Sequence, residues 1–471
     1  MLYSSTRGGM QPLPFKSTVM AGLARDGGLF LPERFPDVSD RLAAWSDLGY
    51  ADLAFEVMRL FADDISERDL RDIVARSYAA FSHPEVAPVR QIGPVHVLEL
   101  FHGPTLAFKD VALQFLGNLF EHILAETGGE LNIVAATSGD TGSAAIHGVR
   151  GRQGVRIFVM HPAGRVSPVQ ELQMTSVTDA NVYNIALQGT FDDAQAIVKT
   201  LFGDLAFRDR HHLGAVNSIN WARVLAQIVY YFHAGLQVMK RTGADRVSFA
   251  VPTGNFGDIF AGYAAALMGL PVAALVLATN ENDILNRFFN TGVYRQGGVV
   301  PTLSPSMDIQ VSSNFERWLY LHLGRDAAAL RAQMEVFART GEMTVAPASG
   351  EAAMDRWIRA GRADTAATLA TIREFHERHG YLLDPHSAVG VAVALRQLDP
   401  EVPMVCLATA HPAKFPDAIA QAIGSAELAT APAIEALKGL PTRKTTLPND
   451  PAAVAAFIET AIQNSRAASH S

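Results

Sequence analysis

The chain has 471 residues, enough for two or three domains, because a single core seldom grows past about 250 to 300 residues. Hydrophobic residues make up 49% and charged residues 18%, a balance that excludes a disordered chain and predicts a large folded enzyme. The formal net charge of -8 excludes a general attraction to phosphate backbones or anionic lipid, so neither nucleic acid nor membrane is an expected partner.

The opening stretch, MLYSSTRGGMQPLPFK, has neither the apolar core of a secretory signal nor an Arg-rich amphipathic address, and a cytoplasmic location is expected. Residues 1–92 carry helix-like patterns such as ADLAFEVMRLFADD and form an expected helical N-terminal accessory region, ending near the loop Ser82, His83, Pro84. From about Val95 the texture changes to short apolar runs, each followed by a glycine-bearing loop and an apolar-periodic helix, which predicts parallel α/β sheets. VHVLEL leads to DVALQFLGNLFEHILAET, where Leu113, Leu116, Phe120 and Ile123 recur at helical spacing. LNIVAAT leads to SGDTG and SAAIHGV, RVSFAVPT to GNFGD and IFAGYAAALMG, and PVAALVLAT follows. VPMVCLAT reads as one more buried strand, with the single cysteine, Cys406, as core.

The fold class expected is therefore α/β, with two lobes of mainly parallel sheets flanked by helices. A smaller lobe is placed at 93–205 and a larger one at 206–471, with an irregular insertion at about 299–371. The run from Ala261 to Thr279 is apolar enough to suggest a membrane span, but Gly269, Leu270 and Pro271 divide it into a helix end and a strand. The tail NSRAASHS is small and polar and is expected to fray.

Three places could carry chemistry. Lys109, in FHGPTLAFKDVAL, stands at the start of the long helix, with Asp110 suited to the helix N-terminus. By position alone it is an ordinary surface lysine, but Leu106, Ala107 and Phe108 make an apolar setting, and desolvation favours the neutral amine that Schiff-base chemistry needs. PTGNFGD, from Pro252 to Asp258, lies between a buried strand and a helix start and suits a phosphate. It lacks the spacing of a nucleotide-triphosphate loop and of a dinucleotide fingerprint. TSGDTGSAA offers the hydroxyls of Thr137, Ser138 and Thr141 as a second anion cradle, fit for a carboxylate, or a plain capped helix start. Beside these three, SSNFER is a weaker candidate: it gathers two hydroxyls, an amide and a guanidinium able to hold a phosphate, or is a plain surface loop. His102, His161, His386 and His411 have no ligand spacing with carboxylates; they are expected to be structural or supporting, and no catalytic metal is expected.

Taken in series, YSSTRG, DGGLFLP, FHGPTLAFKD, ATSGDTGSAAIHG, GTFDDAQAIVK, NSINWARVLAQIVYY, PTGNFGD, LATNEND, SPSMDIQVSSNFER, DPHSAVG and ATAHPAKFP run over nearly the whole chain. In these motifs the chain resembles the threonine synthase family, in the longer of its two groups, within the tryptophan-synthase-like fold of pyridoxal phosphate enzymes. The resemblance implies that Lys109 carries pyridoxal 5'-phosphate as a Schiff base and shuttles protons. It implies that Gly254, Asn255, Phe256 and Gly257 hold the cofactor phosphate, with Asp258 closing the loop, and that Thr409 faces the pyridine nitrogen. Asp140 would stand near the phenolic oxygen and share a proton with it, and Asp258 would turn away to cap the helix or bond a neighbour. Thr137, Ser138 and Thr141 would bind the substrate carboxylate, and Ser312, Ser313, Asn314 and Arg317 the substrate phosphate. The implied reaction takes O-phosphohomoserine to threonine by loss of phosphate from the γ-carbon and addition of water at the β-carbon. A monomer or small homo-oligomer is expected. Two rivals remain: a lyase that stops after elimination and releases keto acid and ammonia, and a binding protein that kept the fold without turnover.

Overall fold

The computed structural model describes residues 1–348 and 353–469. Its larger sheet has six strands in the order Ile358–Arg362, Val272–Thr279, Val247–Pro252, Met404–Ala408, Val95–Glu99 and Val89–Ile92. Neighbours run parallel except the last pair, which is antiparallel. The inner strands VSFAVP and MVCLA are buried at every residue, which is why they appear in the sequence as unbroken apolar runs. Cys406 lies in this core. The smaller sheet has five strands, all parallel, in the order Thr445–Pro448, Val182–Gln188, Val155–Pro162, Leu131–Ala136 and Leu213–Gly214.

The expected boundaries at 93 and 206 do not follow sheet membership. Val95–Glu99 belongs to the larger sheet, whereas Leu213–Gly214 and the late strand Thr445–Pro448 complete the smaller one. The closing helix Pro451–Ser469 sets Val454, Ile458 and Ile462, at helical spacing, into the same core as Ile185, Leu187 and Ile197. A strand's lobe is fixed by its ladder partners, and the chain crosses between lobes more often than one cut per lobe allows. The insertion also returns to the larger sheet, because Ile358–Arg362 is that sheet's edge. Residues 349–352 within the insertion, and the last two residues of the tail expected to fray, lie outside the described residues; the helix itself runs to Ser469.

In the N-terminal region the helices Tyr50–Met58 and Glu67–Tyr78 form as expected, the second capped by Ser66 accepting from the Asp69 N–H. The strands Tyr3–Ser5 and Phe30–Pro32 pair antiparallel, an element too short to show as an alternation in sequence. Arg7 and Thr6 bond Glu316, tying this region to the helix Phe315–His322 of the insertion. The apolar run 261–279 divides into the helix Gly257–Leu267 and the strand Val272–Thr279. No described helix is long and apolar enough to cross a membrane.

Two helices pack against one another at unusually short range. Lys109–Thr127 crosses Asp140–Val149 so closely that a Cβ on Gly117 would lie 1.9 Å from the Gly148 carbonyl oxygen, and one on Gly148 would lie 2.4 Å from that of Leu113. Only glycine permits this approach. The first residues of the two helices, Lys109 and Asp140, are thereby held facing one another.

Candidate active site

A cavity of about 680 Å³ opens between the lobes. Its walls are the segments that follow the carboxyl ends of parallel strands in both sheets, where open α/β sheets generally bind ligands. The loop before Lys109 is stitched to the segment after Met404–Ala408. The Phe108 N–H donates to the Thr409 carbonyl at 2.8 Å, and the His411 N–H donates to the Leu106 carbonyl at 3.0 Å. Leu106 takes a positive φ of 59°, a costly conformation for leucine that these bonds hold in place. Asp110 accepts from the N–H and hydroxyl of Thr105 at 2.8 and 2.7 Å, and burial pushes its carboxyl up to about 6.

Lys109 is buried, and its Nζ lies 3.1 Å from Ser306 Oγ and 3.6 Å from Asp140 Oδ2. Burial pushes its pKa down; Asp140 opposes this, while the like charges of Lys414 and Arg223 add to it. On the other side of the carboxylate, Asp140 Oδ1 lies 2.8 Å from Lys414 Nζ and 2.8 Å from Gln170 Nε2. Burial alone would raise the Asp140 pKa, but Lys414 and Lys109 outweigh it and hold the group far below the usual carboxylate range. Both oxygens of Asp140 thus face donors, Oδ1 those of Lys414 and Gln170 and Oδ2 those of Lys109 and Ser306. Lys414 and Ser306 sit inside quoted motifs, yet nothing periodic distinguishes a single buried lysine or serine.

At the second loop, a Cβ on Gly254 would come within 2.7 Å of the Ser306 carbonyl oxygen, so the chain there approaches closely only as glycine. Phe256 has a positive φ of 62°, and its ring is packed against Phe289 and Phe315. With Asn255, these residues lead to Gly257, where the free N–H groups of the helix Gly257–Leu267 begin. Asp258 turns to the helix Trp221–Thr242 and accepts from Tyr230 at 2.5 Å and Tyr231 at 2.9 Å. Burial, opposed by those hydrogen bonds, pushes its carboxyl from 3.8 up to about 6. A raised folded-state value means that acid favours the fold: the contribution is complete below 3.8 and is lost as pH rises through about 6. Asp258→Asn is therefore expected to flatten the decline in stability between roughly pH 4 and 7 by on the order of 2 kcal/mol, leaving the part due to Asp110. Parallel calorimetric pH profiles for wild type and variant would contradict this.

The third loop brings Thr137, Ser138 and Thr141 to the cavity. Thr137 Oγ1 accepts from the N–H groups of Gly139 and Gly142, both at 2.9 Å, and shapes the loop; Ser138 is exposed and Thr141 half-buried. Thr409 lines the opposite wall, its N–H donating to Ser387 Oγ at 3.0 Å. His386 lies between Asp384 Oδ2, 2.8 Å from Nδ1, and the Ser306 N–H, which donates to Nε2 at 3.3 Å.

The expected phosphate set comes apart. Ser313 faces the cavity, but Ser312 Oγ donates to the Gly254 carbonyl at 2.8 Å, and Asn314 Nδ2 donates to the Asn255 carbonyl at 3.1 Å. Arg317 is wholly buried, donating to the carbonyls of Phe30 and Ile219 and to Asn314 Oδ1. Ser312 and Asn314 brace the Gly254–Asn255 backbone, and Arg317 braces Asn314, because the helix begins at Phe315 and turns Arg317 toward the N-terminal region. The cavity instead receives Arg223, beside Asn217 and Ser218. One Arg223 donor reaches the Val216 carbonyl at 3.3 Å, its buried Nε has no acceptor, and burial pushes its pKa down to about 10. The available signal was a charge placed in the otherwise apolar helix WARVLAQIVYYF. Among the described residues, no three His, Cys, Asp or Glu side chains gather as a metal site.

A buried lysine whose proton is loosely held, facing a helix-start loop with no room for side chains, fits a phosphorylated aldehyde, and in this cleft defines a pyridoxal-phosphate-dependent enzyme. A family model described as pyridoxal-phosphate dependent enzyme matches residues 87–362. Two others, described as threonine synthase N terminus and threonine synthase C-terminal, match 2–78 and 387–458. The chain is 50% identical to a threonine synthase of Schizosaccharomyces pombe, over 90% of this chain and 89% of that one. It is 49% identical to one of Pseudomonas aeruginosa, over 97% and 98%. The crystal structure of PLP-bound threonine synthase from Brucella melitensis superposes with a TM-score of 0.94 at 47% identity, over 98% of this chain and 99% of that one. The yeast threonine synthase structure gives 0.93 at 41% identity, over 99% of each. The chain belongs to the threonine synthase family.

Proposed function

We propose that the enzyme converts O-phospho-L-homoserine and water to L-threonine and phosphate, with pyridoxal 5'-phosphate held on Lys109. The observation that carries this reading is the Lys109 amine, buried at the cavity floor between Asp140 and Ser306 with its proton affinity lowered. The cofactor supplies an electron sink for charge developed on the substrate carbons. The N–H groups around Gly254, Asn255, Phe256 and Gly257 would hold its phosphate, with Asp258 fixing the helix start through the two tyrosines, and Thr409, on the opposite wall, would offer its hydroxyl to the ring. A hydroxyl in that place would not hold a ring nitrogen protonated as a carboxylate would, which would favour elimination. Thr137, Ser138 and Thr141 orient the substrate carboxylate. Lys109 Nζ, as a free amine, would take the α-proton, and Asp140, 3.6 Å away, would stabilise the charge that Nζ then carries.

For the substrate phosphate, Arg223 takes the role expected of Arg317, with Ser313, Ser218 and Asn217 beside it. A cavity-lining guanidinium with one acceptor inside the protein, the Val216 carbonyl, is well suited to a dianionic leaving group. The enzyme is proposed to act in the cytosol as a monomer or small homo-oligomer. Incubation with O-phosphohomoserine is expected to release threonine and phosphate in equal amounts. Phosphate accompanied by keto acid and ammonia would assign the chain to the rival lyase.

A further inference from the structure

Lys109 is not the only lysine in the site. Lys414 has no exposed surface, and its Nζ is 2.8 Å from Asp140 Oδ1 and 2.7 Å from the Thr105 carbonyl oxygen. Two buried amines thus share one carboxylate. Lys414 holds the shorter contact and a second, full acceptor, whereas Lys109 has Oδ2 at 3.6 Å and a serine hydroxyl. A buried ammonium without its own counter-charge is costly, so where two compete for one carboxylate, the worse-placed one gives up its proton first.

We infer that Lys414 is a positioning residue: by claiming Asp140 through Oδ1, it leaves Lys109 as the amine of the pair that is free to react. The surrounding charges agree with this division. Arg223 faces Lys109 from the helix Trp221–Thr242 as a like charge, and Asp110, beside Lys109 on its own helix, is occupied by Thr105. His386 is engaged by Asp384 and the Ser306 N–H, and Asp258 by Tyr230 and Tyr231. Lys414 also ties the reacting loop together, since the Thr105 carbonyl that receives it belongs to the residue that binds Asp110.

The inference rests on Lys109 being the cofactor-bearing lysine, and the test separates the two. Cofactor uptake by the apo-protein joins Lys109 Nζ to the aldehyde carbon with loss of one water, and it requires the unprotonated amine. The rate of uptake, followed by visible absorbance across roughly pH 6 to 10, reports the midpoint of that deprotonation. In Lys414→Met, Lys109 is the one lysine left against Asp140 and a like charge is gone, so the midpoint is expected to rise by about one unit. Lys414→Arg keeps the charge on Oδ1 and is expected to keep the wild-type midpoint. An unchanged or lowered midpoint in folded Lys414→Met overturns the inference. If Lys414→Met does not fold, a displaced midpoint in Lys414→Arg overturns it and a retained midpoint supports it. Lys109→Ala is the control: covalent uptake surviving in it, fixed by borohydride, would defeat the assignment of Lys109 itself.

Discussion

Lys109→Ala is expected to yield a folded, colourless protein that releases neither threonine nor phosphate from O-phosphohomoserine, with turnover down by at least about 10⁴-fold. The size follows from one group holding two duties, the covalent anchor of the cofactor and the base at the α-carbon. Truncation should leave the fold nearly intact. The Lys109 side chain makes one hydrogen bond to Ser306 and a long contact to Asp140, and its loss removes a buried amine rather than apolar packing. Wild type should be yellow, with the colour erased by borohydride. A Lys109→Ala variant that retained borohydride-sensitive colour or phosphate release would refute the site.

Arg223→Met should raise KM for O-phosphohomoserine by about 30- to 1000-fold, corresponding to about 2 to 4 kcal/mol for one buried charged partner of a phosphate. Cofactor absorbance should persist, because the cofactor phosphate is assigned to a different loop. The contrast with Arg317 is diagnostic. Arg317 donates to three acceptors inside the protein, so Arg317→Met should appear as lost stability instead of weakened substrate binding. A KM rise confined to Arg317→Met would restore SSNFER as the phosphate site. The two arginines can be compared in one series of steady-state and melting measurements.

That contrast also marks how much of the site could be read from the chain. Lys109, the loop Gly254–Gly257 and the cradle Thr137–Thr141 were legible because each stands where a buried strand gives way to a helix, and strand, glycine and helix leave local signals. SSNFER has the right groups for a phosphate, but direction is not local. Whether Arg317 points into the cleft or behind it depends on where the helix Phe315–His322 meets the N-terminal region, whose Phe30 carbonyl it caps. Lys414 and Ser306 matter through contacts with residues far away in sequence, 274 positions apart for the Lys414–Asp140 pair and 197 for Lys109–Ser306. The lobe boundaries failed for the same reason. Val95–Glu99 and Thr445–Pro448 look like any other strand, and only the ladder partner says which sheet each one joins.

The crossing of Gly117 over Gly148 has a mechanical meaning. Each glycine lies eight residues into its helix, counted from Lys109 and from Asp140, so the contact is the fulcrum of two equal arms about 12 Å long. A tilt of about 5° at that fulcrum would carry one end about 1 Å past the other, a misplacement on the order of that which costs a hundredfold in rate. Alignment of the reacting amine is therefore governed from a point that neither substrate nor cofactor touches. At that point the chain has no side chain with which to adjust, and sequence drift there would be felt as lost catalysis.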